Sequence, residues 1–171
     1  QGTSQLDRVD YTPLQGDALS GLFVTDHPDH LPLVANNLPP LIAADFAADD
    51  LLVYKNYAPA TELPEPQVDL LKGIDLLTLG AGDDVLDLAS EHPSLLVDFA
   101  EGFDQARVVS AGSQPDVSCY LGLEQLEWTP LDEAGQPLLL DPISFAVAEW
   151  QEDATSLWPV GAYPPDPASE A

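Results

Sequence analysis

The sequence predicts a mainly β fold: a short parallel β-roll or solenoid-like segment combined with antiparallel strands, with a minor helix near residues 41–53. Three observations predict it. Beyond residue 70 the chain consists of aliphatic runs of four or five residues, separated by Gly80, Gly82, Pro93, Gly102, Gly112 and Pro115, which is the rhythm of short strands and tight turns. Two of those runs sit inside one nine-residue pattern laid end to end. The stretch Leu41-Ile-Ala-Ala-Asp-Phe-Ala-Ala carries the alanines that favour a helix over any other element.

Residues 1–18 are polar, with turn signals at Gly2 and Gly16, and read as a flexible N-terminus. Leu22–Thr25 reads as a strand and stops at Asp26-His-Pro-Asp-His30-Leu-Pro32, where two prolines enforce a loop. Asn36-Asn-Leu-Pro-Pro40 is a second break. The helix candidate follows, although Leu51-Leu-Val-Tyr54 at its end suits a strand as well. Residues 58–66 form a proline-rich extended connector. Strand-like runs then fall at Leu76–Leu79, Val85–Leu88, Leu95–Phe99, Ala106–Ser110, Val117–Leu121 and Leu126–Thr129. They fit a roll or an antiparallel sandwich. Leu126–Leu140 looks like a hairpin turning at Asp132-Glu-Ala-Gly135, and Ile143–Trp150 alternates as a further strand. Residues 159–171 are a proline-rich tail. Together, residues 1–171 read as a single acidic β-rich domain.

The charge narrows the partners. Thirty Asp and Glu face only Arg8, Lys55, Lys72 and Arg107, a formal net charge of −26. That field repels nucleic acid and anionic membrane surfaces and attracts cations. Two settings favour it: high salt, as in a halophilic source, or a calcium-rich extracellular medium. Hydrophobic residues make up 45% of the chain, enough for a packed core. No apolar run reaches the length of a membrane span, so no membrane insertion is expected. The chain as given shows no signal peptide. Starting at Gln1 without any Met, it reads as trimmed from a precursor. Cys119, the single cysteine, reads as a small buried hydrophobe.

The chemistry concentrates in Gly73-Ile-Asp75-Leu-Leu77-Thr-Leu-Gly80-Ala-Gly82-Asp-Asp84-Val-Leu86. Gly, any residue, Asp, any residue and an aliphatic occur at 73–77 and again at 82–86. Glycine permits a tight turn that turns carbonyls outward, Asp adds an anionic oxygen, and the aliphatic starts an inward-facing strand. Over residues 70–88 this resembles the calcium-binding nonapeptide of the RTX (hemolysin-type) family, which builds a parallel β-roll. The second copy lacks only the first glycine, where Leu79 stands; the first copy has Leu70 and Leu71 in place of two glycines. A third copy in register keeps only Leu95 and puts Pro93 at the Asp position. The resemblance implies Ca²⁺ as cofactor, held by carbonyls around Gly73, Gly80 and Gly82 with the carboxylates of Asp75 and Asp84. In the family an ion lies between turns two repeats apart. Asp75 would therefore look for a partner near position 93, where Glu91 and His92 are the nearest candidates. One or two partial sites are expected rather than a complete stack. The tail does not look like the family's amphipathic secretion signal.

Other constellations are weaker. His27 and His30 could share a zinc ion with His92, but the intervening proline favours a solvated loop. The acid pairs Asp49–Asp50, Asp83–Asp84 and Glu101–Asp104 invite a glycosidase reading, yet pairs arise by chance among thirty acids. Trp128, Trp150 and Trp158 could stack on sugars; at strand positions they belong more readily to a core. The chain has no nucleophile elbow, P-loop or dinucleotide fingerprint. The expectation is a non-enzymatic, calcium-stabilised structural or adhesive module at the cell surface or outside the cell. It would bind calcium and associate with itself or with other surface proteins, through strand edges. The alternative is a secreted hydrolase or carbohydrate-binding protein with a loop-built site.

Overall fold

The computed structural model describes residues 7–14, 19–32, 38–57, 67–111, 117–146, 150–153 and 156–159. The fold is mainly β, with mixed parallel and antiparallel sheets and one short α-helix among the described residues. The expected fold class is met at that level.

Two parallel stacks are fed alternately by the chain. The first contains β1 (Arg8–Asp10), β5 (Leu76–Thr78), β7 (Leu96–Asp98) and β9 (Tyr120–Leu121), all parallel neighbours in that order. The second contains β2 (Leu19–Thr25), β6 (Val85–Asp87), β8 (Gln105–Ala111) and β10 (Gln125–Leu131), again parallel. Each circuit of the chain thus adds one strand to each stack. Leu76 pairs with Leu96, Val85 with Gln105, and Gln105 in turn with Gln125. Parallel neighbours cannot be joined by a tight hairpin, so the chain crosses to the other stack before returning. The alternation starts at β1 and β2, is interrupted by β3 and β4, and resumes from β5 to β10.

Antiparallel strands finish the second sheet. On one side β3 (Leu51–Tyr57) pairs with β2 and β4 (Gln67–Leu71) pairs with β3; on the other, β11 (Ile143–Ala146) pairs with β10. The last two strands, β12 (Trp150–Asp153) and β13 (Ser156–Pro159), pair with each other.

Inward side chains of the two stacks interlock in one core. Leu77, Leu79, Val97 and Phe99 meet Leu22, Val24, Leu86, Ala106, Leu126 and Trp128. Period-two alternation in β10 sends Leu126 and Trp128 inward and leaves Glu127 and Thr129 on the far face. A smaller cluster lies behind β2–β4, where Leu52 and Val68 pack with Ile42 and Phe46 of the helical segment. At one end of the main core, Lys55 Nζ approaches Asp69 Oδ2 at 2.8 Å and the Tyr11 hydroxyl donates to the same oxygen at 2.9 Å.

Several sequence expectations are corrected here. The helix, α1 (Pro40–Asp45), is shorter than 41–53; residues 51–57 extend as β3, where Leu51, Val53 and Leu52 are needed on two buried faces. Residues 8–10, inside the segment read as flexible, form β1, because Asp7 O and Thr78 O take N–H groups across the β1–β5 edge. The turn at Asp132–Gly135 forms, closed by a 2.9 Å bond from Gly135 N–H to Asp132 O. Its return strand is not Leu138–Leu140 but β11, which alternation placed at 143–150. Val117–Cys119 is a 3₁₀ turn leading into a two-residue β9. The strand β4 had no sequence expectation. The connector 58–66 and tail residues 160–171 lie outside the described residues.

Candidate functional site

The heads of β6, β8 and β10 carry the same local sequence. Gly82-Asp-Asp84-Val-Leu86, Gly102-Phe-Asp104-Gln-Ala106 and Gly122-Leu-Glu124-Gln-Leu126 each read Gly, any residue, acid, any residue, apolar. The apolar residue points into the core, so the acid two positions earlier faces the same interior at the mouth of the sheet. Neighbouring acids are twenty residues apart in sequence and stacked in space.

Hydrogen bonds join them into a ladder. Leu22 N–H donates to Asp84 Oδ1 at 2.7 Å, Asp84 N–H to Asp104 Oδ1 at 2.8 Å, and Asp104 N–H to Glu124 Oε2 at 2.8 Å. Each carboxylate thus accepts the N–H of the residue level with it on the neighbouring strand. At the top, Leu22 stands where an acid would. Asp84 and Asp104 are 1% and 0% exposed, and Glu124 is half-buried. The second oxygens, Asp84 Oδ2 and Asp104 Oδ2, are fully enclosed and accept no hydrogen bond.

Two buried carboxylates with unanswered oxygens are costly as anions. Burial pushes Asp84 up to about 7 against the N–H groups of Leu22 and Gly80, with the charge of Asp83 adding to the rise. Burial likewise pushes Asp104 up to about 7. The N–H of Asp84 opposes it; the carboxylates of Asp84, Glu124 and Asp83 reinforce it.

Glycine allows this stacking. A Cβ on Gly102, at φ +154°, would lie 1.9 Å from Gly82 O, and one on Gly21, at φ +149°, 2.2 Å from Asp83 O. Only a residue without a side chain lets adjacent strands close at this level.

The five residues expected to hold calcium divide between the stacks. Asp84 heads β6 and lies in the ladder. The N–H of Gly80 acts on the Asp84 carboxylate against the rise that burial imposes, and Gly82 carries the carbonyl that a side chain on Gly102 would strike. Asp75 heads β5 in the other stack; its Oδ2 accepts Asp7 N–H at 3.0 Å. Gly73, at φ +59°, forms the exposed turn before it. The twenty-residue circuit places Leu95, not an acid, beside Asp75, whereas it places Asp104 beside Asp84. Sequence reading by nines found the two strands of one circuit and missed Asp104 and Glu124. The glycine–acid pair recurring at 82, 102 and 122 is the signal that finds them.

A hard cation can be tested against these groups. Around Asp84 and Asp104 the ligand type fits: two anionic oxygens are enclosed without a donor. No group of three or more His, Cys, Asp or Glu converges on one point among the described residues, so backbone carbonyls or water would have to complete a calcium shell.

Two of the three histidines lie against carboxylates. His92 Nε2 lies 3.0 Å from Asp26 Oδ2, and His30 Nδ1 lies 3.3 Å from Asp87 Oδ1. His27 Nδ1 accepts Asp29 N–H at 3.3 Å, its ring centroid 4.8 Å from that of His30. Asp26 also accepts Ala89 N–H, Ser90 N–H and the Ser90 hydroxyl. Burial pushes Asp26 up, but the bonds from His92, Ser90 and Ala89 outweigh it and hold the carboxyl at about 2. The Ser90 hydroxyl donates to Asp26 and also lies 3.5 Å from His92 Nε2, so Asp26 ties Ser90 and His92 together in one turn.

No family model matches the chain, and neither a curated protein nor a solved structure matches it.

Proposed function

We propose that the chain is a non-enzymatic, calcium-stabilised structural or adhesive module that works outside the cell or on its surface. The observation that carries this reading is the pair of enclosed oxygens, Asp84 Oδ2 and Asp104 Oδ2, stacked on adjacent strands without a hydrogen-bond donor. A divalent cation answers both at once. Asp84 and Asp104 would hold it, and the ion would supply the positive charge that the interior lacks at that level. Asp75 and the Gly73 turn would offer a separate, more exposed point of attachment.

The surface supports an extracellular setting. With only four basic residues against thirty acids, the folded chain repels itself until cations screen it. Extracellular modules bind calcium in the range of about 10⁻⁴–10⁻³ M, which is where partial sites belong. Self-association through edge strands, or contact with other surface proteins, would follow once the charge is neutralised. Among the described residues no helix is long and apolar enough to cross a membrane.

Calorimetry and thermal melting test the reading together. Saturating calcium is expected to raise Tm by several degrees and to bind with heat, and Asp104→Asn to abolish both effects. A chain equally stable in calcium and in chelator, with no binding heat, would remove calcium from this account.

A further inference from the structure

On the outer face of the second sheet, away from the core, a cleft of about 380 Å³ opens over β6, β8 and β10. Its floor is set by the same twenty-residue register. Asp87, Arg107 and Glu127 stand side by side on three adjacent strands, with His30 beside Asp87 and Thr129 further along β10. Arg107 Nη1 lies 3.6 Å from Asp87 Oδ2 and Arg107 Nε lies 3.3 Å from Glu127 Oε2. Leu131, Pro137 and Pro142, from β10 and the segment after it, form an apolar wall.

We propose that this cleft binds a neutral saccharide, one or two sugar units of a glycan. The proposal deepens the adhesive part of the reading above and rests on that part for its biological sense, while the residues involved are different. Charge selects the class. An anion would meet Asp87, Glu127 and the field of the whole chain; a cation would meet Arg107 and would have to break its pairs with both acids. A neutral polyol meets neither penalty. Carboxylates accept from hydroxyls, the guanidinium donates to them, and Thr129 does both, so the row alternates acceptor and donor at the spacing of adjacent strands. The pairing with both acids holds Arg107 in place before any ligand arrives, which lowers the ordering cost of binding. The volume lies at the small end of the range for ligand sites, roughly 300–1,000 Å³, and excludes a long oligosaccharide. Trp128 points into the core and takes no part. Contact with the sugar's C–H face falls to Leu131 and the prolines.

The full chain, ¹⁵N-labelled, would be titrated with the methyl β-glycosides of glucose, galactose and mannose, with N-acetylglucosamine, and with glucuronate and glucosamine as charged controls. At roughly 0.3 kcal/mol per heavy atom a single sugar unit would bind with Kd on the order of 1 mM. At least one neutral probe is expected to give saturable shifts confined to the amides around Arg107–Val109 and Glu127–Leu131. Arg107→Gln and Thr129→Val should each weaken it several-fold. If Arg107→Gln loses its native spectrum, Thr129→Val, which keeps a strand-forming residue, decides alone. No saturable shift by roughly 100 mM of any probe, shifts unchanged in Thr129→Val, or tighter binding of a charged control would each overturn the proposal. The titration is run in calcium and in chelator. Sugar binding that survives a failed calcium test keeps this inference and discards the ion, and the reverse result discards the cleft.

Discussion

Asp84 and Asp104 face each other across the β6–β8 ladder, with the backbone N–H of the first donating to Oδ1 of the second at 2.8 Å and the Oδ2 atoms of both sealed in without a donor. The hydrogen bond explains why an acid recurs at this position: it caps an N–H that the parallel ladder leaves over. It does not explain the second oxygens. An amide would cap the same N–H without an interior charge.

That distinction gives the first prediction. Asp84→Asn and Asp104→Asn keep the shape and the accepting oxygen. In chelator at pH 8 each is expected to be as stable as the parent or more stable. In calcium each should lose the ion-dependent gain in Tm. Thermal melting in the two conditions reads both effects from one set of samples.

The ligand positions can be separated by alanine substitution. Asp84→Ala and Asp104→Ala should weaken calcium binding at least about tenfold, a loss of about 1.4 kcal/mol. Asp83→Ala should cost much less, since Asp83 is exposed and its carboxylate caps Phe103 N–H. Asp75→Ala leaves the Asp84–Asp104 pair intact and should leave its affinity unchanged. Calorimetry on the four variants checks the order; equal losses for Asp75 and Asp84 would move the site back to the nine-residue register.

How much of this was legible in the sequence follows from the two periods. Gly73/Asp75/Leu77 and Gly82/Asp84/Leu86 mark the entries to β5 and β6, the two strands of one circuit, and the nine-residue spacing exposes them because the intervening turn is short. The connection from β6 to β7 is longer than that from β5 to β6 because it includes Ala89-Ser-Glu-His92, where Asp26 gathers Ala89, Ser90 and His92. Counting by nines therefore meets Pro93, and the acid that matters, Asp104, falls out of step. Leu51–Tyr57 was ambiguous for a related reason: it is apolar on both faces, with Val53 in the main core and Leu52 in the smaller cluster, which hides the period-two signal. The floor of the cleft was visible only as scattered charges, because Asp87, Arg107 and Glu127 become neighbours through the twenty-residue register alone.

Glycine at the ladder level should be irreplaceable. Gly102→Ala combines a backbone angle of φ +154° with a Cβ 1.9 Å from Gly82 O, a clash with main chain that cannot rotate away. A loss of about 3 kcal/mol or more is expected. Gly135→Ala, at φ +75° in open space, should cost only about 1 kcal/mol. Urea titration separates the two.

The end of the core offers a test of a buried charge. Lys55 is 9% exposed and depends on Asp69, which also accepts the Tyr11 hydroxyl. Asp69→Ala removes the counter-charge and should cost about 3 kcal/mol, whereas Tyr11→Phe loses one hydrogen bond and should cost about 1 kcal/mol. Equal costs, measured by urea titration, would mean that Lys55 reaches water when its partner is gone.

The pH profile sets two groups of carboxyls against each other. Asp84 and Asp104 are raised in the folded chain from 3.8 to about 7, so their contribution is fully present below pH 3.8 and is lost as pH rises through 7. Asp26 is lowered from 3.8 to about 2, so its contribution is present above 3.8 and is lost as pH falls through 2. In chelator the two losses bracket a maximum near pH 4, well below the usual optimum of roughly pH 5–8. The loss between pH 4 and pH 8 should be on the order of a few kcal/mol, or roughly 10 °C in Tm. Calcium binds the ionised pair, so it should remove the alkaline loss and move the maximum toward neutrality while leaving the acid limb in place. Asp26→Asn should do the reverse, flattening the acid limb and sparing the alkaline one. Melting curves from pH 2 to 8, with calcium and with chelator, resolve all four combinations. A chelated protein most stable at pH 7 would show that Asp84 and Asp104 ionise without cost and that the ladder needs no ion.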